Sequence, residues 1–460
     1  MLKRSTRVGF IGICLINFVA IVNASAPDTL WTRTYGGIGG DEGMSVQQTS
    51  DGGFIVAGAT NSFGAGGWDV YLIRVNSSGD TVWTRTFGGP GDESGNSVQQ
   101  TFDGGFIIAC AGGDMLIKTN SNGNILWTTS GEYAYSVQQT SDTGFIVAGQ
   151  SSGNVYLRKT NSSGGTIWAK TYGGTSNDGA YSVQQTYDGG FVVAGWTRSF
   201  GAGGADVYLI KTNFSGDTVW TKTYGGTDQD MGTSVQQTSD SGFIITGYTR
   251  SFGAGNWDVY LIRTNSLGNT LWTKTYYGGI SQNMAYSVRQ TSDGGFIIAE
   301  NGVENLIKTN SSGDVLWTGT YGGMYFNANS VQQTSDNGFI VAGWEWFFGA
   351  GGDDAYLIRL GKEPAGIKEK ILTAKKEEFK VSPNLFNYST TVKYSLPIKT
   401  IVSLKIHDIT GREVQTLVNE QKEAGNYDIN FSAKGFSTGI YFIKLTTENF
   451  SQTEKIVIAR

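Results

Sequence analysis

Acidic residues and aromatic rings are the groups in this chain with chemistry to offer. Asp41, Glu42, Asp92, Glu93, Asp178, Asp228 and Asp230 all sit in short glycine-rich segments, and Trp344, Glu345 and Trp346 stand together near the end of the same region. Oxygen ligands of this kind suit a hard cation. Acids beside indoles also suit a carbohydrate, whose hydroxyls bind carboxylates while its apolar face stacks on a ring. A carboxylate pair acting on a glycosidic bond is the catalytic alternative, and solvated loop acids or a scaffold with no small ligand are the plain ones. Asp228-Gln-Asp230 lacks the further ligand spacing of a calcium loop. The single histidine, His407, lies far from these acids, so His-based triads and His-ligated metals are excluded there. No catalytic residue, metal or cofactor is expected.

These residues are positioned by a repeat. SVQQTSDGGFIVAG at residues 45–58 returns in close copies whose Ser-Val-Gln-Gln elements begin at Ser45, Ser97, Ser136, Ser182, Ser234, Ser287 and Ser330, spaced 39 to 53 residues apart. Each unit holds four apolar stretches of strand length, in the first unit SVQQT, GFIVAG, DVYLIR and TVWTRTFGG. Four strands per repeat at this period predict a propeller blade. The turn between the first two strands carries Asp51 and its six equivalents beside glycine, which provides the backbone hydrogen bonds and positive φ of a tight hairpin. The seventh unit stops at Gly361 without a fourth strand, while an extra copy, Trp31-Thr-Arg-Thr-Tyr-Gly-Gly, precedes the first. Pairing the two closes the ring and removes two sheet edges. The chain is therefore predicted to be all-β, with residues 27–361 forming a seven-bladed propeller closed by its N-terminal strand, similar to seven-bladed bacterial β-propellers.

Strand order then separates two ends. One carries only minimal hairpins. The other carries the interblade links with the acids named above, and second-to-third-strand loops that are long in units one, four, five and seven. In three of these, Ser-Phe-Gly-Ala-Gly recurs around Phe63, Phe200 and Phe252, which predicts rings tucked back as support; Trp344, Glu345 and Trp346 break the pattern and are better placed for contact. The recurring Trp31, Trp83, Trp127, Trp168, Trp220, Trp272 and Trp317 are expected to wedge between blades. The first strands should line the channel with Gln47, Gln99, Gln138, Gln184, Gln236 and Gln332, and with Arg289 as the odd member.

Charge and export signals bound the partners. Residues 27–361 hold 16 basic and 28 acidic residues, a net −12, so nucleic acid is not an expected partner. Lys3, Arg4 and Arg7, an apolar run from Val8 to Val22 and small residues to Ala26 have the three regions of a secretory signal peptide at residues 1–26, with cleavage after Ala24 or Ala26. No transmembrane segment is expected in the mature chain. Cys14 would leave with the signal, and Cys110 alone cannot form an intrachain disulfide.

A Lys/Glu-rich linker over residues 362–378 leads to residues 379–460, whose alternating strands VSLKIHD and GIYFIKL predict a small antiparallel, Ig-like β-sandwich. This segment closely resembles the type A C-terminal sorting domain of type IX secretion. The resemblance rests on Ser382-Pro383-Asn384, Tyr394-Ser-Leu-Pro397, Asp408-Ile-Thr-Gly411, Ala424-Gly-Asn-Tyr427, Gly439-Ile-Tyr441-Phe442 and Lys455-Ile-Val-Ile. Leu385 and Tyr388 replace two prolines of the usual family pattern. The resemblance implies contact with the type IX machinery through residues 379–460, passage through the periplasm and outer membrane of a Bacteroidetes-like bacterium, and clipping or surface attachment. The expected protein is an extracellular or surface propeller that binds a glycan or another protein on its loop-rich face.

Overall fold

The computed structural model describes residues 25–254, 256–276, 282–302, 304–322, 326–346, 349, 351–364, 379–396, 400–423, 425–447 and 451–459. The basic and apolar parts of the signal segment, residues 365–378 of the linker, Phe347 and Phe348, Pro397 and Ala424 lie outside them. The chain divides into two compact units, Met1–Pro364 and Ala365–Arg460.

The first unit contains seven four-stranded antiparallel sheets among the described residues. The first blade is Asp41–Gln48, Phe54–Thr60, Asp69–Val75 and Thr81–Phe87 in spatial order, and the next five follow the same plan. In the seventh, Asn327–Gln333, Phe339–Glu345 and Asp354–Leu360 are completed by Thr29–Tyr35, which pairs antiparallel with Asp354–Leu360. The ring is closed by the N-terminal strand, as the unpaired Trp-Thr-Arg-Thr copy predicts.

Burial explains the residue choice along each blade. The second and third strands are covered on both faces by neighbouring blades, so Phe54–Thr60 and Asp69–Val75 are buried throughout and read as apolar runs. The outer strand alternates because one face meets solvent. At the start of every second strand a Phe is buried to 1% exposure or less: Phe54, Phe106, Phe145, Phe191, Phe243, Phe296 and Phe339. Each receives the edge of the preceding blade's outer Trp, with centroids 5.7 to 6.1 Å apart. The recurring tryptophans are thus interblade wedges, and each buried Phe contributes on the order of 2 kcal/mol.

At the hairpin end the turn aspartate does more than its sequence role required. Asp51 accepts from the Thr49 hydroxyl and the Gly53 amide, while Gly52 takes φ +83°. It also pairs with Arg74, whose side chain is nearly buried on the third strand. The same pairing joins Asp103 to Lys118, Asp142 to Lys159, Asp188 to Lys211, Asp240 to Arg263, Asp293 to Lys308 and Asp336 to Arg359. Seven buried cations are neutralised by seven partly exposed acids.

In the second unit Phe379–Ser382, Ser389–Leu396 and Gly425–Ser432 form one sheet. The other runs Leu385–Phe386, Ser451–Ile458, Gly439–Thr446, Thr400–Asp408, Glu413–Lys422. Val392, Tyr394 and Phe431 from the first sheet share one core with Leu404, Ile406, Ile443 and Ile456 from the second, the layering of a sandwich. One detail departs from an antiparallel plan: Leu385–Phe386 pairs parallel with Val457 and Ile458.

Candidate functional site

The loop-rich end sorts the acids into two groups. Asp41, Asp178 and Asp230 are fully buried. One carboxylate oxygen of each accepts from a link amide, Gly37, Gly174 or Gly226, at 2.8 to 3.0 Å. The same oxygen accepts from the hydroxyl of Ser62, Ser199 or Ser251 at 2.6 to 2.8 Å. These aspartates bolt the interblade link to the long loop, and the reading as solvated rim acids does not describe them: one oxygen of each takes two local donors, while the other is buried without a hydrogen-bond partner among the described residues. Glu345 is likewise fully buried, paired in register with Asp354. Glu93 accepts from the Gly89 amide at 2.9 Å. Glu42 is half-buried, where burial and nearby Asp353 raise its pKa. Asp92 and Asp228 are exposed, on different junctions; Asp92 accepts from the Trp68 amide and Asp228 from that of Gln229.

The aromatics sort as cleanly. Phe63, Phe200 and Phe252 lie against Tyr71, Tyr208 and Tyr260 at 5.6 to 5.9 Å, yet each remains 42 to 46% exposed, so the rings support the loop on one side and face solvent on the other. Trp344 is half-buried and Trp346 is 56% exposed. A larger aromatic group lies elsewhere. The residue preceding the Ser-Val-Gln element is Met44, Asn96, Tyr135, Tyr181, Thr233, Tyr286 and Asn329 in the seven copies, and from the third blade to the sixth most of these are tyrosines. Tyr135 meets Tyr181 at 5.3 Å across a blade boundary, and Tyr248 meets Trp257 edge-on at 4.9 Å. Arg198 lies over Trp196 and Arg250 over Trp257, 5.6 and 5.3 Å from the ring centroids. All six rings, Tyr286 included, are half-buried. Tyr135, Tyr181 and Tyr286 occupy a position that varies between copies just before the repeated element, the sequence signal that could have found them; Trp196, Tyr248 and Trp257 have no such signal.

Below this mouth the channel wall is latched blade to blade. The Val98 amide donates to Ser45 Oγ at 3.2 Å and the Gln100 amide to Gln47 Oε1 at 2.5 Å. Equivalent bonds run from each first strand to the next around the ring, except where Arg289 replaces the glutamine. These side chains line a cavity of about 200 Å³. Arg289 Nη1 donates to the Val288 carbonyl at 2.8 Å and reaches Ser234 Oγ at 3.4 Å. Cys110 is buried, and burial pushes its thiol pKa far up, so it is no nucleophile.

In the second unit the motif residues converge on the five-stranded sheet. Asp408 Oδ1 accepts from Thr410 Oγ1 at 2.6 Å and from the Thr410 and Arg412 amides, closing a turn in which Gly411 takes φ +84°. Those bonds, the Thr410 hydroxyl first, hold the Asp408 carboxyl down at about 2. Asp408 pairs in register with Tyr441, and Tyr441 with Ile456. Gly439 pairs with Ile458, and Lys455 with Phe442. Pro383 accepts from Thr390 Oγ1 at 2.6 Å and Asn384 from the Val457 amide at 2.7 Å. Among the described residues no helix is long and apolar enough to cross a membrane.

Comparison with known proteins gives a family for the second unit. Residues 380–459 match the family of secretion system C-terminal sorting domains. No curated protein matches the chain. Among solved structures, PorZ, an essential surface component of the type IX secretion system of Porphyromonas gingivalis, is 15% identical with a TM-score of 0.44. The alignment covers 91% of this chain, which spans only 59% of PorZ. A fungal alcohol oxidase of the AA5 family with copper is 12% identical over 94% of this chain and 100% of its own, TM-score 0.49. YCF48 from Cyanidioschyzon merolae is 10% identical over 72% and 98%, TM-score 0.45. At such identities and TM-scores none of the three speaks to ligand or chemistry. Residues 380–459 are a type IX secretion C-terminal sorting domain, and the chain is a seven-bladed propeller that this domain sends to the cell surface or the extracellular space.

Proposed function

We propose that the exported propeller binds a glycan at the loop-rich mouth of its channel. The observation that carries this reading is the group of half-buried rings, Tyr135, Tyr181, Trp196, Tyr248, Trp257 and Tyr286, gathered from the third to the sixth blade with Arg198 and Arg250 beside them. Half-buried rings that carry a polar edge suit the alternating apolar faces and hydroxyls of a sugar. Exposed Asp92 and Asp228 stand on separate junctions, so they offer hydroxyl contacts at the rim rather than the paired carboxylates that hydrolysis needs. Binding is therefore favoured over bond cleavage, and a protein partner on the same face is the second reading, supported by exposed Trp346.

Titration of the purified full chain against a panel of polysaccharides and oligosaccharides tests this. Tyr181→Ala and Trp257→Ala should each weaken the retained glycan at least tenfold while unfolding within a few degrees of wild type. Affinity unchanged in both variants, or no glycan retained by the wild type, sinks the reading; release of reducing ends would replace it with the enzymatic one.

A further inference from the structure

The latches in the channel wall determine which way six carboxamides face. A backbone N–H only donates, so the atom that receives it must be the amide oxygen. The acceptors from the Gln48, Gln100, Gln139, Gln185, Gln237 and Gln290 amides are thus Oε1 of Gln332, Gln47, Gln99, Gln138, Gln184 and Gln236, at 2.5 to 2.7 Å. Each Nε2 is left with its hydrogens on the side away from the wall, in the cavity these residues line, and bonds to no protein acceptor among the described residues. The serines beside them accept from the next blade's valine amide, which leaves each hydroxyl proton free to donate as well.

Arg289 completes the ring and does so at a structural loss. A guanidinium has no acceptor, so the sixth blade keeps only the Ser287 latch to the Val331 amide of the seventh and lacks the second one. Arg289 pairs with no carboxylate among the described residues; its bonds go to a carbonyl and a hydroxyl. Burial alone disfavours its charge. A cation in a confined cavity, with a circle of N–H and O–H donors and no counter-charge, is complementary to one kind of occupant. We propose that the channel is a binding site for a small oxyanion, of the sulfate, phosphate or carboxylate class, held by Arg289 and the inward carboxamides. Residues 27–361, which surround it, carry net −12, so diffuse attraction does not account for such binding. The site is separate from the aromatic mouth and does not depend on a glycan being bound there.

The test is calorimetric titration and thermal unfolding of the full chain in chloride buffer at constant ionic strength, with sodium sulfate, phosphate and acetate as probes. Wild type should bind at least one with one-to-one stoichiometry and unfold several degrees higher at saturation. Arg289→Gln installs the residue that the other six blades carry, so it should fold, and it should lose at least tenfold in affinity. Gln236→Glu keeps an oxygen for the Gln290 amide but replaces the donor with a carboxylate beside Arg289; it should lose binding comparably. The proposal is overturned by absence of binding for all three anions, or by wild-type affinity in either variant.

Discussion

The fifth and sixth blades are built on one plan, yet the sixth is cut shorter. Asp230–Gln237, Phe243–Thr249, Asp258–Thr264 and Thr270–Tyr276 face Ala285–Gln290, Phe296–Glu300, Leu306–Thr309 and Val315–Gly319. What survives the shortening is the frame. Phe296 still meets Trp272 at 6.0 Å, the Asp293 turn still pairs with Lys308 at 2.7 Å, and the Gln290 amide still reaches Gln236. What changes is off the frame: Arg289 gives up a latch, Glu300 is buried on the second strand, and the outer Trp317 donates to Glu363 where Trp31 donates to the Ser77 carbonyl. A repeat conserves the contacts every copy must make. Departures that work against stability therefore point to another role, and three experiments press on that contrast.

The largest effect is expected at Glu300. Burial pushes its carboxyl up to about 7 from 4.5. Between those values the folded chain holds a proton that the unfolded chain has released, so stability falls as pH rises, by about 3 kcal/mol over the interval. Urea unfolding at pH 5 and pH 7.5 should show this decline in wild type and a flatter profile in Glu300→Gln; equal slopes would remove the sixth blade's claim to a strained acid.

Next comes the turn pair. Lys308 is the most deeply buried of the seven cations and Asp293 the least exposed of their partners. Removing the acid leaves a buried charge, but solvent screening of the pair limits the cost, so Asp293→Asn should destabilise by about 2 kcal/mol and the same change at Asp51 by less. The seven turn carboxyls are all held below their ordinary range. At Asp51 the Thr49 hydroxyl leads; at Asp293 burial opposes and the Lys308 and Thr291 bonds outweigh it. Their stabilisation is present above the ordinary carboxylate pKa of 3.8 and is lost as pH falls through the lower folded values. An acid limb that is unchanged in a multiple Asp→Asn variant would contradict this.

The smallest effect concerns the missing latch. In chloride buffer without added oxyanion Arg289→Gln should gain about 1 kcal/mol, one restored hydrogen bond and one cation fewer in the channel. A loss measured by the same unfolding experiment would mean that Arg289 serves the frame after all.

Much of this was legible before any coordinates. Six Ser-Val-Gln elements and one Ser-Val-Arg, seven wedge tryptophans and the displaced Trp31 copy predict the blade count and the ring closure, because period and strand number constrain architecture strongly. The shared contact of Phe63, Phe200 and Phe252 with a tyrosine was legible too, since near-identical loops imply a shared support, but their remaining exposure was not. The candidate site was read less well. Asp41, Asp178 and Asp230 look like rim acids in a glycine-rich link, and nothing local reveals that Ser62, Ser199 and Ser251 return 21 residues later to bury them. Nor does any turn sequence show that Asp51 has a partner on a strand 23 residues away.

The sequence alone determined the repeat, its closure and its export domain, since these depend on periodicity and short-range motifs that each copy or segment carries within itself. Only the tertiary structure decided what faces what. Which aspartates are struts, which tyrosines from separate blades share a mouth, and which edge of each channel glutamine meets the cavity are set by contacts between neighbouring blades. Those contacts come into being when the ring closes, because a side chain's orientation is settled by a partner that no local stretch of sequence contains.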